Sequence, residues 1–187
     1  MILVTGGTGL VGSHLLYQLA LQNEDIIALH RKSSDLSSVK KVFSYYSDNF
    51  ETLYSSIQWV ESDVNDVSTL SKAFKDVTFV YHCAALISFD TSDYKKMRKV
   101  NIEGTANIVN LCISNNVQKL CFVSSIAAIG KPIATGEITE NTEWNIEDNN
   151  YGYAITKYGA EMEIWRASQE GIDMVIVNPG IILGPGY

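Results

Sequence analysis

The chain has 187 residues, 46% of them hydrophobic and 19% charged, with three prolines against thirteen glycines; this is the composition of a globular domain and excludes disordered, collagen-like and disulfide-built classes. At this length one core buries roughly 70% of the unfolded chain's surface, so a single domain over residues 1–187 is expected, with no need of a metal or disulfide staple. A net charge of −7 disfavours nucleic acid and membrane surface as partners, and Cys83, Cys112 and Cys121, odd in number and without CxxC spacing, read as reduced thiols of a cytoplasmic protein.

The apolar opening MILVTGG has no basic lead and soon meets glycines, so it reads as a strand rather than a secretion signal, and no apolar stretch reaches the roughly 18 residues of a membrane helix. Runs rich in β-branched or aromatic residues predict six strands at 2–4, 25–29, 57–60, 78–83, 119–124 and 173–178. Between them lie segments of helical spacing, carried by Leu10, Val11, Leu15, Leu16 and Leu19, then by Val39 and Phe43, Leu70 and Phe74, Met97 and Ile108, and Ile155, Met162 and Ile164. Ser47, Asp48 and Asn49 should split the 33–56 connection into two short helices. Strand and helix alternate throughout, which demands parallel pairing through crossover helices and predicts a Rossmann-type, doubly wound α/β sheet in three layers, with strand order 3-2-1-4-5-6. Residues 130–152 show no period and read as a long loop at an active-site rim. The Lys95, Lys96, Arg98, Lys99 cluster reads as a solvated helix face.

Thr5-Gly6-Gly7-Thr8-Gly9-Leu10-Val11-Gly12 joins the first strand to the first helix. Gly6 suits a tight turn, Gly9 a close approach to a pyrophosphate, and Gly12 close helix-to-strand packing, with Leu10 and Val11 opening the helix whose N-terminal N–H groups face the anion. The alternative, glycines that only make a turn, is weakened by the placement after a strand and before a helix. An NAD site puts an acid at the end of the second strand. Here that place holds His30, followed by Arg31 and Lys32, so the expectation is NADP, with NAD second; Arg31 would grip the 2′-phosphate bidentately and Lys32 would add charge, unless the two merely solvate a loop. Asp63 and Val64 are candidates for the adenine edge, and Ala84 and Ala85 for close passage of the ligand. No zinc spacing exists, so no metal is expected.

Of the ten tyrosines, only Tyr153 is followed four residues later by a lysine, Lys157. On a helix the two share a face, and the ammonium would lower the phenol's pKa toward neutrality. A hydroxyl at Ser124 or Ser125, ending the fifth strand, could donate to a substrate oxygen.

The chain resembles the extended short-chain dehydrogenase/reductases, also described as the NAD-dependent epimerase/dehydratase family. The resemblance rests on TGGTGLVG at 5–12, SDV at 62–64, HCAA at 82–85, VNIEGT at 100–105, SSIAAIG at 124–130, YAITK at 153–157 and NPGIILGPG at 178–186. It implies a catalytic set of Ser125, Tyr153 and Lys157 supported by Asn101. Lys157 would also hold the nicotinamide ribose, and Pro179 and Gly180 would pass beside the nicotinamide. It points to the dihydroflavonol reductase and 3β-hydroxysteroid dehydrogenase side of the family, and to a homodimer through two long helices, 91–115 and 153–168. Members usually continue a hundred or more residues past the GPG segment, so the lobe that grips the substrate is expected to be absent from this chain. The expected function is an NAD(P)-dependent oxidoreductase acting on a small-molecule carbonyl or alcohol. The alternatives are a sugar-nucleotide epimerase or dehydratase and a non-catalytic dinucleotide-binding module.

Overall fold

In a computed structural model, described over residues 1–131, 136–145, 147–148 and 150–186, the predicted alternation is present. The strands are β1 (Ile2–Thr5), β2 (Ile26–His30), β3 (Gln58–Glu61), β4 (Phe79–His82), β5 (Lys119–Val123) and β6 (Asp173–Val177). All pair in parallel, in the order β3-β2-β1-β4-β5-β6. The helices are α1 (Leu10–Leu21), α2 (Leu36–Ser44), α3 (Phe50–Ser55), α4 (Val67–Ala73), α5 (Tyr94–Arg98), α6 (Gly104–Ser114) and α7 (Gly152–Gln169). The break between α2 and α3 falls on Ser47, Asp48 and Asn49, as their turn-forming side chains predict.

The period of two along β1 distributes the core to both faces of the sheet. Leu3 joins Leu70, Phe74, Ile108, Phe122 and Ile164 under α4, α6 and α7, while Ile2 and Val4 join Leu16, Tyr17, Val39 and Phe43 under α1 and α2. Phe43, Phe74 and Phe122 are fully buried, each contributing about 1.5–3 kcal/mol of transfer free energy. Three helices stop the same way just before a strand. Asn23, Asn116 and Gly171 take positive φ, and the next amide reaches back, as Val117 N–H does to Cys112 O at 2.9 Å and Ile172 N–H to Ala167 O at 3.0 Å.

The predicted 91–115 helix is continuous but not uniform. It opens as a 3₁₀ turn at Thr91–Asp93, and a π-helical turn at Lys99–Glu103 separates α5 from α6. That turn holds Asn101, and such bulges commonly serve to re-aim side chains. Of the predicted 130–152 loop, residues 132–135, 146 and 149 lie outside the described residues, as does Tyr187; the described residues before α7 hold no helix or strand and are mostly exposed, though Gly130 packs against Glu143, where a Cβ would fall 1.7 Å from Glu143 O. Among the described residues no helix is long and apolar enough to cross a membrane.

Candidate dinucleotide site and active site

At the carboxyl ends of β1, β2 and β4 the Gly-rich turn borders a cavity of about 310 Å³. Gly6 has φ +67°, and a Cβ there would also lie 2.6 Å from Ala84 N. A Cβ on Gly12 would lie 2.2 Å from Gly6 O; what Gly12 permits is therefore closure of α1 onto its own entry turn, a correction to the helix-to-strand contact expected of it. The α1 N-terminus has no side-chain cap and no acidic residue in its first turn, so its N–H groups and positive dipole end are left to an external anion. A pyrophosphate fits this cradle, whose shape side chains at Gly6 or Gly12 would break by striking its own backbone.

Gly6, Gly9, Arg31, Asp63, Val64, Ala84 and Ala85 line this cavity, whereas Leu10 and Gly12 do not. Lys32 does not either. It lines an adjoining groove together with Arg31, Glu61, Asp63 and Asp66, beside the place where Arg31 meets the cavity.

Beneath the cavity runs a buried polar chain whose hydrogen positions follow from chemistry. Thr105 donates its hydroxyl hydrogen to Asn101 O, so it can only accept from His82 Nε2, 2.9 Å away. His82 is then the Nε2–H tautomer, and Nδ1 accepts from Thr5 Oγ1 at 2.6 Å, which itself accepts from Ala84 N–H at 3.2 Å. Burial, with the Lys157 charge adding to it, pushes the His82 imidazole down to about 3, keeping it neutral as this chain requires. The Asn101 amide accepts from Leu86 N–H at 2.7 Å and donates to Leu86 O at 2.9 Å and Thr156 Oγ1 at 3.0 Å. Asn101 thus ties the segment after β4 to α7. Its amide is spent on these bonds, and it lines neither cavity of this site, so the part open to it is positioning, from behind the cavities.

A second cavity, about 560 Å³, meets the first at Cys83 and Ala85. Ser125, Tyr153, Lys157, Pro179 and Gly180 all line it, together with Val11. Ser125 caps the 3₁₀ turn Ile126–Ala128, its Oγ accepting from Ala127 N–H at 3.1 Å, which leaves the hydroxyl hydrogen to donate toward the Tyr153 phenol or a ligand oxygen. Tyr153 is the second residue of α7. Its phenol is pushed up by burial, with hydrogen bonding to Ser125 acting against this and Tyr151 adding to it. Lys157 does not lower it as the i,i+4 spacing predicts. Only 1% exposed, Lys157 donates to Val123 O at 2.9 Å and lies 4.1 Å from the centre of the Phe122 ring. Burial pushes its ammonium down to about 7, opposed by the Glu161 carboxylate.

Sequence reasoning missed Thr5, Thr105, Glu161 and Asn178, and it set Ser124 aside in favour of Ser125. Ser124, 4% exposed, lines the second cavity with a hydroxyl that has no partner. Glu161 could have been found from its i,i+4 spacing to Lys157. The others show only once separate elements are assembled.

The model of the NAD dependent epimerase/dehydratase family matches residues 2–187. The chain belongs to that family. Among curated proteins, this epimerase/dehydratase chain is 34% identical over 97% of its length to a putative dihydroflavonol 4-reductase of Synechocystis, of which it covers 49%. It is 29% identical over 99% of its length to a UDP-glucose 4-epimerase of Vibrio cholerae, of which it covers 52%. The solved structure of gox2253 superposes with a TM-score of 0.80 at 30% identity, over 96% of this chain and 51% of that one. The chain thus spans about half the length of the curated relatives it matches.

Proposed function

We propose that this epimerase/dehydratase-family chain is the dinucleotide-binding part of an NADP-dependent oxidoreductase that interconverts a carbonyl and an alcohol. The observation that carries the reading is that Ser125, Tyr153 and Lys157 share one cavity, and that this cavity borders the glycine-lined one at Cys83 and Ala85. A nicotinamide dinucleotide lying across both would supply a hydride acceptor or donor beside Tyr153. Gly6, Gly9 and the α1 N-terminus hold its pyrophosphate, Arg31 pairs with a 2′-phosphate, and Pro179 and Gly180 flank the nicotinamide. Lys157 holds the ribose. Ser125 donates its hydroxyl hydrogen to the substrate oxygen, and Tyr153 gives or takes the proton at that same atom.

The rest of the cavity lining favours an apolar substrate. Phe89, 80% exposed, sits 6.0 Å from the Tyr151 ring, which in turn sits 6.3 Å from Tyr153, and Ile87, Ile126 and Ile181 continue the surface. The likeness to a UDP-glucose 4-epimerase supports a second reading, epimerisation or dehydration of a sugar nucleotide with no net consumption of cofactor. Cytoplasmic residence is supported by three free cysteines, and a homodimer by Met162 and Trp165, which α7 leaves 40% and 49% exposed.

Titration with NADPH and NADH tests the dinucleotide site. Turnover is then followed by NADPH absorbance over a panel of ketones, aldehydes and sugar nucleotides, in this chain and in this chain joined to the remaining half of the Synechocystis relative. Steady NADPH loss is expected, and Tyr153→Phe should lower it by about 10²–10⁴ with dinucleotide affinity kept. Conversion of a sugar nucleotide without NADPH loss would establish the second reading. Dinucleotide binding with no turnover in either chain would leave a binding module.

A further inference from the structure

Glu161 sits one helical turn past Lys157 on α7, is 8% exposed, and together with Asn178 borders a further cavity of about 410 Å³. Its carboxylate accepts from Asn178 Nδ2 at 2.6 Å, and the same nitrogen donates to Ser125 O at 3.1 Å. Both acceptors lack hydrogens, so the two amide hydrogens are assigned one to each, and a flipped amide would set its oxygen against a carboxylate and a carbonyl.

The bond to Ser125 lies next to a gap in the sheet ladder. Ser124 N–H donates to Val177 O at 2.8 Å and Ile126 N–H to Pro179 O at 3.0 Å, which continues the β5–β6 ladder past its last paired strand residues. In that ladder the amide of residue 179 would donate to Ser124 O. Proline has no N–H. The Asn178 side chain does not replace that bond but adds one a residue further on, to Ser125 O, so the extended Ser124–Ser125 segment is held by it and by the two remaining ladder bonds.

We infer that Glu161 is a positioning residue for this site, acting through the Asn178 amide on the Ser125 backbone and, across one helical turn, on the charge of Lys157. The inference rests on the reading of Ser125 and Lys157 as working groups. The titratable groups that bear on Lys157 are Glu161 and Tyr153 on its own helix and His82 and Cys83 from the β4 end. His82 is neutral above about 3, and burial pushes the Cys83 thiol up to about 12. Tyr153 is held neutral by its raised pKa. Glu161 favours the ammonium against the burial that opposes it.

Two variants separate the geometric from the electrostatic action. Glu161→Gln keeps an acceptor for Asn178 but removes the charge; Glu161→Ala removes both. Amide hydrogen exchange of Ile126 and Ala127 reads the turn, and the Lys157 Cε resonance in ¹³C-lysine-labelled protein reads the ammonium. Glu161→Ala and Asn178→Ala should each speed exchange at Ile126 and Ala127 by about three- to tenfold, with β5 residues Leu120 to Phe122 unchanged. Glu161→Gln should leave that exchange as in the parent. Both Glu161 variants should move the Lys157 midpoint below about 7, and Asn178→Ala should not. Exchange unchanged in Asn178→Ala, exchange raised uniformly along β5, or a Lys157 midpoint unmoved in Glu161→Gln would each overturn the inference. Neither readout involves a dinucleotide, so failure of NADPH binding would remove the functional reading while leaving this result to stand or fall by itself.

Discussion

Lys157 donates to the carbonyl of Val123 at 2.9 Å, anchoring the candidate proton-transfer helix to the end of β5. Its ammonium is held at about 7 in the fold against an ordinary 10.5. Below pH 7 both folded and unfolded chains carry the proton and the burial penalty is complete. From 7 to 10.5 the unfolded chain binds more protons, so stability rises with pH, and above 10.5 the penalty is gone. Stability of the parent relative to Lys157→Met should therefore climb between pH 7 and 9, by up to about 1.4 kcal/mol per pH unit. Urea unfolding at stepped pH measures this, and parallel curves for the two proteins would refute it.

His82 has the same sign in an acid window. With its folded value near 3 and its ordinary value at 6.5, the unfolded chain binds more protons between these limits, so stability falls as pH drops from 6.5 toward 3. Protonation would also leave Thr5 Oγ1 facing an N–H in place of the acceptor it now donates to. A His82→Gln variant, whose amide cannot titrate, should be less stable than the parent at pH 7 and show a shallower loss from pH 6.5 to 4. Thermal melts across that range are the check; equal slopes would mean that His82 is not the titrating group.

Arg31 borders both the glycine-lined cavity and the adjoining groove, where a 2′-phosphate would meet it. Arg31→Ala should weaken NADPH binding by about 1.5–3 kcal/mol and leave NADH nearly unaffected, as for loss of a charge-assisted hydrogen bond. Lys32→Ala should cost less, because Glu61, Asp63 and Asp66 share its groove. Calorimetric titration of both dinucleotides against all three proteins decides it, and equal losses for NADPH and NADH would count against the NADP preference.

The glycines of the turn should separate by experiment. A Cβ at Gly12 meets backbone at 2.2 Å, whereas one at Gly9 meets Gly6 O at 3.4 Å with φ −87°. Gly12→Ala should then cost at least about 1–3 kcal/mol of stability, as overpacking against atoms that cannot yield. Gly9→Ala should stay within about 0.5 kcal/mol of the parent yet bind NADPH more weakly, its methyl standing where the pyrophosphate approaches. Melting and titration together measure both; a Gly12→Ala protein as stable as the parent would contradict the close packing of α1 on its entry turn.

By itself the sequence determined the sheet and its order, the two helices between β2 and β3, the glycine cradle and the alignment of Ser125, Tyr153 and Lys157 toward one site. These features are local: β-branched runs, 3.6-residue periods, turn residues and short motifs act within a few neighbours in the chain, and crossover helices then allow little but a parallel sheet. What the tertiary structure alone decided are contacts between residues far apart in the chain. Lys157 meets Val123 across 34 positions, Asn178 meets Ser125 across 53, and Thr5 meets His82 across 77. No period or spacing encodes such pairs. Burial and the saturation of hydrogen-bonding groups select them after the elements pack, because a buried polar atom left unpaired costs about 1–3 kcal/mol. The same packing buried Lys157 against Val123 and Phe122, gave Asn101 to the segment after β4, and set Lys32 in a groove outside the glycine-lined cavity.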